Sequence, residues 1–529
     1  MSAPNPPQRN SFEESAPLLP PARSVPEPCE PSNKSRIWIW VVILGTFLIT
    51  IIDVGSFLAD PPKTRIFEAN LCLRYYSKHD PSKINNDGTV DEALCKINAV
   101  QEKLAMIIGW SGLFDAIPGI LLAVPFGTLA DKYGRKWIFM LSLFGLQLSF
   151  AWQLLICYFR TLPLQLTWLS SLFLVLGGGP LVASAVGLTF LSDVIPPEKR
   201  TTVFLYFTAS VGIAELLAPI MAAQLMKHGD WLPLLLALGC LGFGVFLSLF
   251  IPETLHIIDL PEPADEADSE VERGIELSPS SKTPGLGLKA QLLHLRDAMH
   301  FFRRDFTLGL VIFSFLANRL GRQSLDLLIR YASQRYGWRI QQAAYLTSVR
   351  AAANLVSLIV IIPLANVLLL KRLRLSAHKA DLWIARGSIV LTTVSFFIMG
   401  VSATPALLVL GLLVYNLGTG YNAAMRSVAI VVVGGQSSPD IGRLMAVIAI
   451  VEGVGAMLSS PILNGTFQWG MNLGQLFLGL PFMVSATIFG LISIITFMIT
   501  IRDVHLAYEE DCNHQTPHTT EPEELPSPE

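Results

Sequence analysis

The chain is poor in charged residues and has no marked excess of either sign. Asp, Glu, Lys and Arg make up 15% of its 529 residues, and the formal net charge is −3. Soluble domains average about 25% charged residues, and nucleic-acid-binding proteins usually carry a strong basic field. The composition therefore argues against a water-soluble protein and against a nucleic-acid partner.

The sequence also lacks the motifs of common catalytic and metal centres. Its six cysteines form no Cys-x-x-Cys pair and have no histidines at zinc-site spacing. There is no Gly-x-x-x-x-Gly-Lys-Ser/Thr loop, so we do not expect ATP as an energy source. We also find no nucleophile motif or histidine cluster, and we predict no enzyme activity, no cofactor and no metal site.

What the chain has instead is long apolar runs. Hydrophobic residues make up 52% of the sequence, and the mean hydropathy is +0.50. Runs of about 20 apolar residues, the length that crosses a bilayer, recur from residue 37 onward. They predict an all-α polytopic membrane protein with twelve transmembrane helices in two six-helix halves. We place the spans at 37–59, 104–128, 137–159, 165–191, 202–226, 231–251, 307–329, 341–368, 383–402, 405–433, 443–465 and 476–500.

Polar regions flank and separate the two halves. We predict a disordered cytoplasmic N-terminus at 1–35, a cytoplasmic linker at 252–306 and a disordered cytoplasmic tail at 502–529. The halves are then 36–251 and 307–501. Lys and Arg are concentrated in the loops after spans two, four and eight, which places those loops and both termini in the cytoplasm.

The segment 60–103 is then a loop on the outer side. It contains Cys72 and Cys95, which can form a disulfide in an oxidising compartment. Two free thiols are an equally good interpretation of the sequence.

The short loop after the second span carries a specific motif. It reads Gly127-Thr-Leu-Ala-Asp131-Lys-Tyr-Gly134-Arg135-Lys136. This resembles the Gly-x-Leu-Ala-Asp-x-x-Gly-Arg-Lys signature of the major facilitator superfamily and matches it at every defining position. The resemblance implies that this cluster is a conformational latch between the halves on the cytoplasmic side. We expect Gly127 to allow close helix approach and Gly134 to make a tight turn.

The resemblance covers about residues 36–503, and Pro252-Glu253-Thr254 follows span six as in many members. The outer loop and span two loosely resemble fungal carriers of the proton-coupled folate and heme transporter branch. Span four lacks the arginine that many drug/proton antiporters carry, because Thr167 and Trp168 stand near that place. Proton antiport is therefore not supported by a motif.

Ionisable residues within the spans supply the candidate site. On insertion scales a charge at the helix centre costs about 2.5–3.5 kcal/mol, so it is tolerated mainly inside protein or in a wet cavity. Spans three, six and twelve carry no charge, and span nine has only Arg386 near its end. In the facilitator fold these four spans face lipid, and the charge distribution fits that arrangement.

We predict a cavity with acids from the first half and arginines from the second half. Asp53, Asp115 and Glu215 are the acidic candidates, and Asp115 or Glu215 would carry a proton. Arg319 or Arg350 would hold an anionic group of the solute. For each of these residues the alternative is a structural ion pair that only holds helices together.

Two further charge pairs are interpreted as structural. Arg426 and Glu452 lie at similar depth in the inner half of the membrane, and we predict an ion pair between them. Arg322 and Asp326 are one helical turn apart and are expected to pair with each other.

The function predicted from these features is a secondary transporter that moves a small organic solute by alternating access. We favour efflux of a secondary metabolite or toxic compound, with protons as the coupling ion and a monomer in the lipid bilayer. The alternatives are proton-coupled import of an organic anion and, ranked lower, a nutrient sensor on a carrier scaffold. We place the protein in the cell membrane, with the vacuolar membrane as the alternative.

Overall fold

The computed structural model describes residues 34–195, 200–253, 306–372, 377–433 and 441–499. The predicted terminal regions and the central linker lie almost entirely outside these ranges. Within them the chain is helical and contains no strand, in agreement with the predicted all-α class.

The first half contains six spans, numbered here in chain order. Span 4 is built from several pieces, the 3-10 turns Leu164–Leu169 and Leu174–Leu176 around Ser170–Phe173, followed by the helix Gly179–Val194. The others are single helices: Lys34–His79 (span 1), Asn98–Tyr133 (span 2), Arg135–Tyr158 (span 3), Arg200–Leu225 (span 5) and Trp231–Ser248 (span 6).

The second half repeats the arrangement with more interruptions. Span 7 is Phe306–Asp326 followed by Leu328–Tyr336, and span 10 is Pro405–Leu417 followed by Tyr421–Val432. Span 8 is Ile340–Val356 and then Ile362–Val367, with π-helical turns Ser357–Ile361 and Leu368–Arg372. The remaining helices are Ala377–Gly400 (span 9), Ile441–Leu473 (span 11) and Leu480–Met498 (span 12).

Eleven helices of the described residues are long and apolar enough to cross a bilayer. The helix Phe306–Asp326 is not among them, and it contains Arg319, Arg322 and Asp326. It packs against spans 10, 11 and 12 and occupies the place of the seventh span. The architecture is the predicted one of two six-helix halves.

Span 1 differs from the sequence prediction, which ended it at residue 59. The helix continues to His79 and passes through Pro61 and Pro62. The stretch beyond residue 59 is too polar to be predicted as a membrane span, but it forms helix because its apolar residues pack against the rest of the first half. Its apolar residues Phe67 and Leu71 belong to a buried cluster at the outer end of the first half.

The two halves meet along two pairs of antiparallel helices. In the first pair, Asn98 of span 2 donates a hydrogen bond from Nδ2 to the carbonyl of Met471 in span 11 (3.2 Å). Further along, Gly112 approaches Ser460 so closely that a Cβ on the glycine would lie 2.3 Å from the serine Oγ. A side chain at residue 112 would therefore push spans 2 and 11 apart.

The second pair is span 5 with span 8. Gln341 donates to the Ala223 carbonyl (2.6 Å), and Gln224 donates to the Tyr345 hydroxyl (2.9 Å). These contacts, like the Asn98 contact, lie at the ends of the helices that are predicted to face outward. The two halves are therefore in contact on the side that the distribution of Lys and Arg predicts to be outer, and we call this conformation outward-closed.

Candidate functional site

An ion pair between Glu215 and Arg350 crosses the interface between the halves. Arg350 Nη2 donates to Glu215 Oε1, which joins span 5 to span 8. The Glu215 side chain is 6% exposed and that of Arg350 is 16% exposed. The two candidates that the sequence assigned to a proton and to an anion neutralise each other in this conformation.

Asp115 is bonded within its own half. Its carboxylate accepts hydrogen bonds from Ser171 Oγ of span 4 (2.5 Å) and from Ser111 Oγ (3.3 Å). Trp168, one of the residues near the place of the antiporter arginine, donates from Nε1 to the Ile107 carbonyl of span 2 (3.0 Å). These bonds fix span 4 against span 2.

The structure describes the side chain of Asp53 but not that of Arg319. Asp53 is partly buried on span 1, and the charge of Arg322 acts on it across the interface. Arg319 lies on the span 7 helix, but its side chain is outside the described part of the chain.

The expected pair between Arg322 and Asp326 does not form, so this prediction was wrong. Neither side chain has an ion pair or a hydrogen bond to any described residue, and both are exposed although their helix packs against spans 10, 11 and 12. At longer range the charge of Arg322 still acts on Asp326 and also on Asp53 of span 1, and Asp326 is acted on by Asp60 and Lys63 of span 1. Both side chains are therefore exposed on the part of span 7 whose charges interact with span 1.

Asp60 and Lys63 are site residues that the sequence reasoning missed. Their side chains form an ion pair at 3.5 Å and are 62% and 31% exposed. Asp60 follows Asp53 by two helical turns, so the two acids lie on one side of span 1. This spacing was the available signal, and it went unused because the predicted helix ended at residue 59.

Arg426 and Glu452 form the predicted ion pair. Arg426 Nη2 contacts both carboxylate oxygens, at 3.0 and 3.1 Å, and its Nε donates to Asn422 Oδ1 at 3.3 Å. The Glu452 side chain is 8% exposed and that of Arg426 is 42% exposed. The pair joins spans 10 and 11 within the second half.

The signature loop is organised by a contact from the end of span 6. Gly134 has φ 109°, which favours glycine, and it begins span 3. The Glu253 carboxylate accepts hydrogen bonds from the backbone N–H groups of Arg135 (3.0 Å) and Lys136 (3.3 Å). An acidic group at a helix N-terminus satisfies free N–H donors and complements the helix dipole. Arg135 Nη2 lies 3.5 Å from Asp131 Oδ1, so these two residues form an ion pair.

The close approach expected at Gly127 is absent. A Cβ there would meet nothing within 4 Å. The contacts between spans 2 and 11 lie nearer the outer end of span 2, for example at Gly112. Close packing at Gly127 therefore does not occur in this outward-closed conformation.

The outer end of the first half forms a compact unit, which we call the outer cap (residues 64–97). Cys72 and Cys95 are joined by a disulfide. Glu68 is 1% exposed and contacts Lys96 (2.7 Å) and Arg65 (3.2 Å). Its Oε1 also accepts from Gln101 Nε2 (2.5 Å).

The outer cap also contacts the second half directly. Glu92 Oε1 accepts from the backbone N–H of Ile340, the first residue of span 8, at 2.8 Å. Gln334 Nε2 donates to the Lys96 carbonyl at 3.0 Å. The cap thereby holds spans 7 and 8 against span 1 on the outer side.

Two six-helix halves around a charged central space define a membrane carrier with an alternating-access architecture. The family model for the Major Facilitator Superfamily matches residues 99–460, and the chain belongs to this superfamily. The prediction of a multi-pass transporter is confirmed.

Fungal proteins named as efflux pumps are similar over most of the chain. "MFS efflux pump atnC" of Emericella nidulans is 35% identical, covering 89% of this chain and 90% of that protein. "Efflux pump ustT" of Aspergillus flavus is 30% identical, with 83% of each chain covered. The predicted fungal-type efflux carrier is confirmed by these relatives.

Solved structures share the fold at low identity. The human organic anion transporter MFSD10 superimposes with a TM-score of 0.54 at 18% identity, covering 88% of this chain and 99% of that one. The nucleoside transporter NupG gives a TM-score of 0.56 at 14% identity, covering 87% and 98%. The chain therefore has the overall fold of these carriers, and its broken helices and outer cap are parts of that fold.

Proposed function

We propose that this protein exports an amphipathic secondary metabolite or toxic compound across the cell membrane in exchange for protons, and that it acts as a monomer. The efflux pumps among its relatives support the direction. The observation that carries the proton coupling is the ion pair between Glu215 and Arg350, which joins spans 5 and 8 across the interface.

The pair can form only when Glu215 is ionised, because a neutral carboxyl would leave the Arg350 charge without its partner. A proton taken up by Glu215 from the outer side would therefore be lost when the halves return to the outward-closed conformation and the pair forms. Proton movement would be inward, which is the direction needed to drive export.

The same pair opposes futile cycling. Once Glu215 has lost its proton, the empty carrier is held outward-closed by its contact with Arg350. Cargo that enters from the inner side must supply interactions that replace the pair before the halves can rearrange. Exchange is therefore favoured over movement of the empty, deprotonated carrier.

The test is dye accumulation in inside-out vesicles from cells that express the full chain, with rhodamine B as the probe. We expect accumulation to increase when the vesicle lumen is made acidic. The variant Glu215→Gln cannot ionise, and we expect it to move dye in both directions without responding to the pH gradient.

Glu452→Gln is the matched control, because its ion pair lies within the second half. We expect this variant to keep its response to the gradient per folded molecule. Full gradient-driven accumulation by Glu215→Gln would contradict the proposed coupling. Gradient-driven loss of dye from inside-out vesicles would instead identify an importer.

A further inference from the structure

Three charged side chains within the apolar runs predicted from the sequence have no direct partner among the described residues. They are Asp53, Arg322 and Asp326, for which the structure gives neither an ion pair nor a hydrogen bond. Other intramembrane charges are bonded: Glu215 to Arg350, Arg426 to Glu452, Arg330 to Asn464, and Asp115 to Ser111 and Ser171. The exceptions all lie in one place, where span 1 faces span 7.

Arg322 and Asp326 are placed for a ligand with two opposite charges. They are four residues apart on a continuous helix, so they share a face and are separated by roughly 6 Å along its axis. They form no direct ion pair, although the charge of Arg322 acts on Asp326, and both side chains are exposed. A basic and an acidic group are thus presented side by side at the closed end of the space between the halves.

Groups on span 1 set what can bind there. Asp53 lies within electrostatic reach of Arg322, and Asp60 and Lys63 lie within reach of Asp326. Arg330 also acts on Asp326, but its Nη1 is bonded to Asn464 Oδ1 at 2.6 Å. Lys63 is bonded to Asp60 at 3.5 Å, and of these two groups Asp60 acts more strongly on Asp326.

A ligand with a single charge would leave one of the two side chains uncompensated. An anion on Arg322 would lie one turn from the Asp326 carboxylate, and a cation on Asp326 would lie one turn from the Arg322 guanidinium. An uncompensated charge inside the membrane is costly, whereas an amphoteric ligand satisfies both groups at once.

We propose that Arg322 and Asp326 form a cargo-binding site, and that the cargo is an amphoteric organic molecule. Its anionic group, such as a carboxylate, binds Arg322, and its cationic, nitrogen-containing group binds Asp326. This inference rests on the proposed export of an organic cargo and names the chemical class of that cargo.

The test uses three dyes on one xanthene scaffold that differ in charge: zwitterionic rhodamine B, cationic rhodamine 6G and anionic fluorescein. Binding to the purified full chain in detergent is measured at equilibrium by fluorescence polarisation, without a pH gradient. We expect the wild type to bind rhodamine B about tenfold more tightly than either of the other dyes.

The variants Arg322→Gln and Asp326→Asn remove one charge each and keep a polar side chain. We expect Arg322→Gln to prefer rhodamine 6G and Asp326→Asn to prefer fluorescein, each with a shift of about tenfold in the ratio of dissociation constants. Thermal unfolding of each variant in the same detergent identifies the folded fraction. A purely structural role would lower the binding of all three dyes equally.

Equal loss of all three dyes in both variants overturns the proposal, as does wild-type binding of a singly charged dye that matches rhodamine B. Failure of the folded wild type to bind any of the dyes also counts against it. Because binding is measured without a gradient, these results are separate from the vesicle assay. Dye selectivity without gradient-driven transport would refute the proton coupling and leave the cargo site standing.

Discussion

The contact between Glu92 and Ile340 gives a quantitative prediction for closure of the outer side. Glu92 caps the first N–H of span 8 from the opposite half and also contacts Lys96 (3.1 Å) and Arg65 (3.4 Å). In Glu92→Ala the two basic groups keep Glu68 as a partner, so the outer cap itself should stay folded. The principal loss is the bond that joins the cap to span 8.

Loss of an N-terminal cap costs about 0.5–2 kcal/mol. If that energy is present only in the outward-closed conformation, the population of the outward-open state rises about 2- to 30-fold. Ala223→Cys provides the reporter. Ala223 is 0% exposed between spans 5 and 8, and its contact with Gln341 is made by the backbone carbonyl, which the substitution keeps. Its labelling by an impermeant maleimide added outside should accelerate by the same factor.

Asp87→Asn is the control, since Asp87 is an exposed acid of the same outer segment. We expect it to leave the labelling rate unchanged. Glu92→Gln should have a smaller effect than Glu92→Ala, because the amide oxygen can still accept from the Ile340 N–H. If Glu92→Ala labels at the wild-type rate, the contact does not contribute to outer closure.

Three further predictions concern stability in detergent, measured by thermal unfolding. Gly134→Ala should destabilise the protein by about 1–2 kcal/mol, because the residue has φ 109° and a Cβ would lie 2.4 Å from Glu253 Oε2. The control is Gly239→Ala, which should be tolerated because its Cβ would meet open space. The double variant Cys72→Ser/Cys95→Ser should lose about 3 kcal/mol, the value typical of a loop of this length; unchanged stability would show that the outer cap folds without the bond. Burial raises the pKa of Asp230; Arg65 opposes the shift, and Glu92 and Glu68 add to it. The contribution of the Asp230 carboxyl to stability is therefore present at low pH. It is lost as the pH rises from about 4 through the folded-state pKa. Asp230→Asn should therefore be more stable than the wild type at neutral pH, and an identical pH profile for the two proteins would contradict this reasoning.

Much of the fold follows from sequence features that act locally. An apolar run of bilayer length specifies a spanning helix whatever its neighbours are, so the spans could be located from one sequence. The loop from Gly127 to Lys136 identified the superfamily because its residues are contiguous. The Arg426 and Glu452 pair was predictable because both charges lie at the same depth and need a partner.

The parts that were missed depend on which surfaces meet. The cap formed by Glu92 on Ile340 joins residues 248 positions apart, and no local pattern indicates it. Arg322 and Asp326 have the spacing of a helical pair, but span 1 places other charges opposite them and they do not bond each other. The space around Gly127 depends on the conformation of the carrier, which a sequence pattern does not specify.

Span 1 carries Asp53 and Asp60 in the central space and Glu68 and Cys72 in the outer cap on one continuous helix. Glu68 lies only about 12 Å along the axis from Asp60. An antibody fragment that binds the exposed surface of the cap only in the outward-closed conformation would therefore change the affinity of the central site for its solute. Binding free energies are reciprocal, so the solute must change the affinity of the fragment by the same factor. Such a reagent would report solute occupancy from the cap side of the membrane.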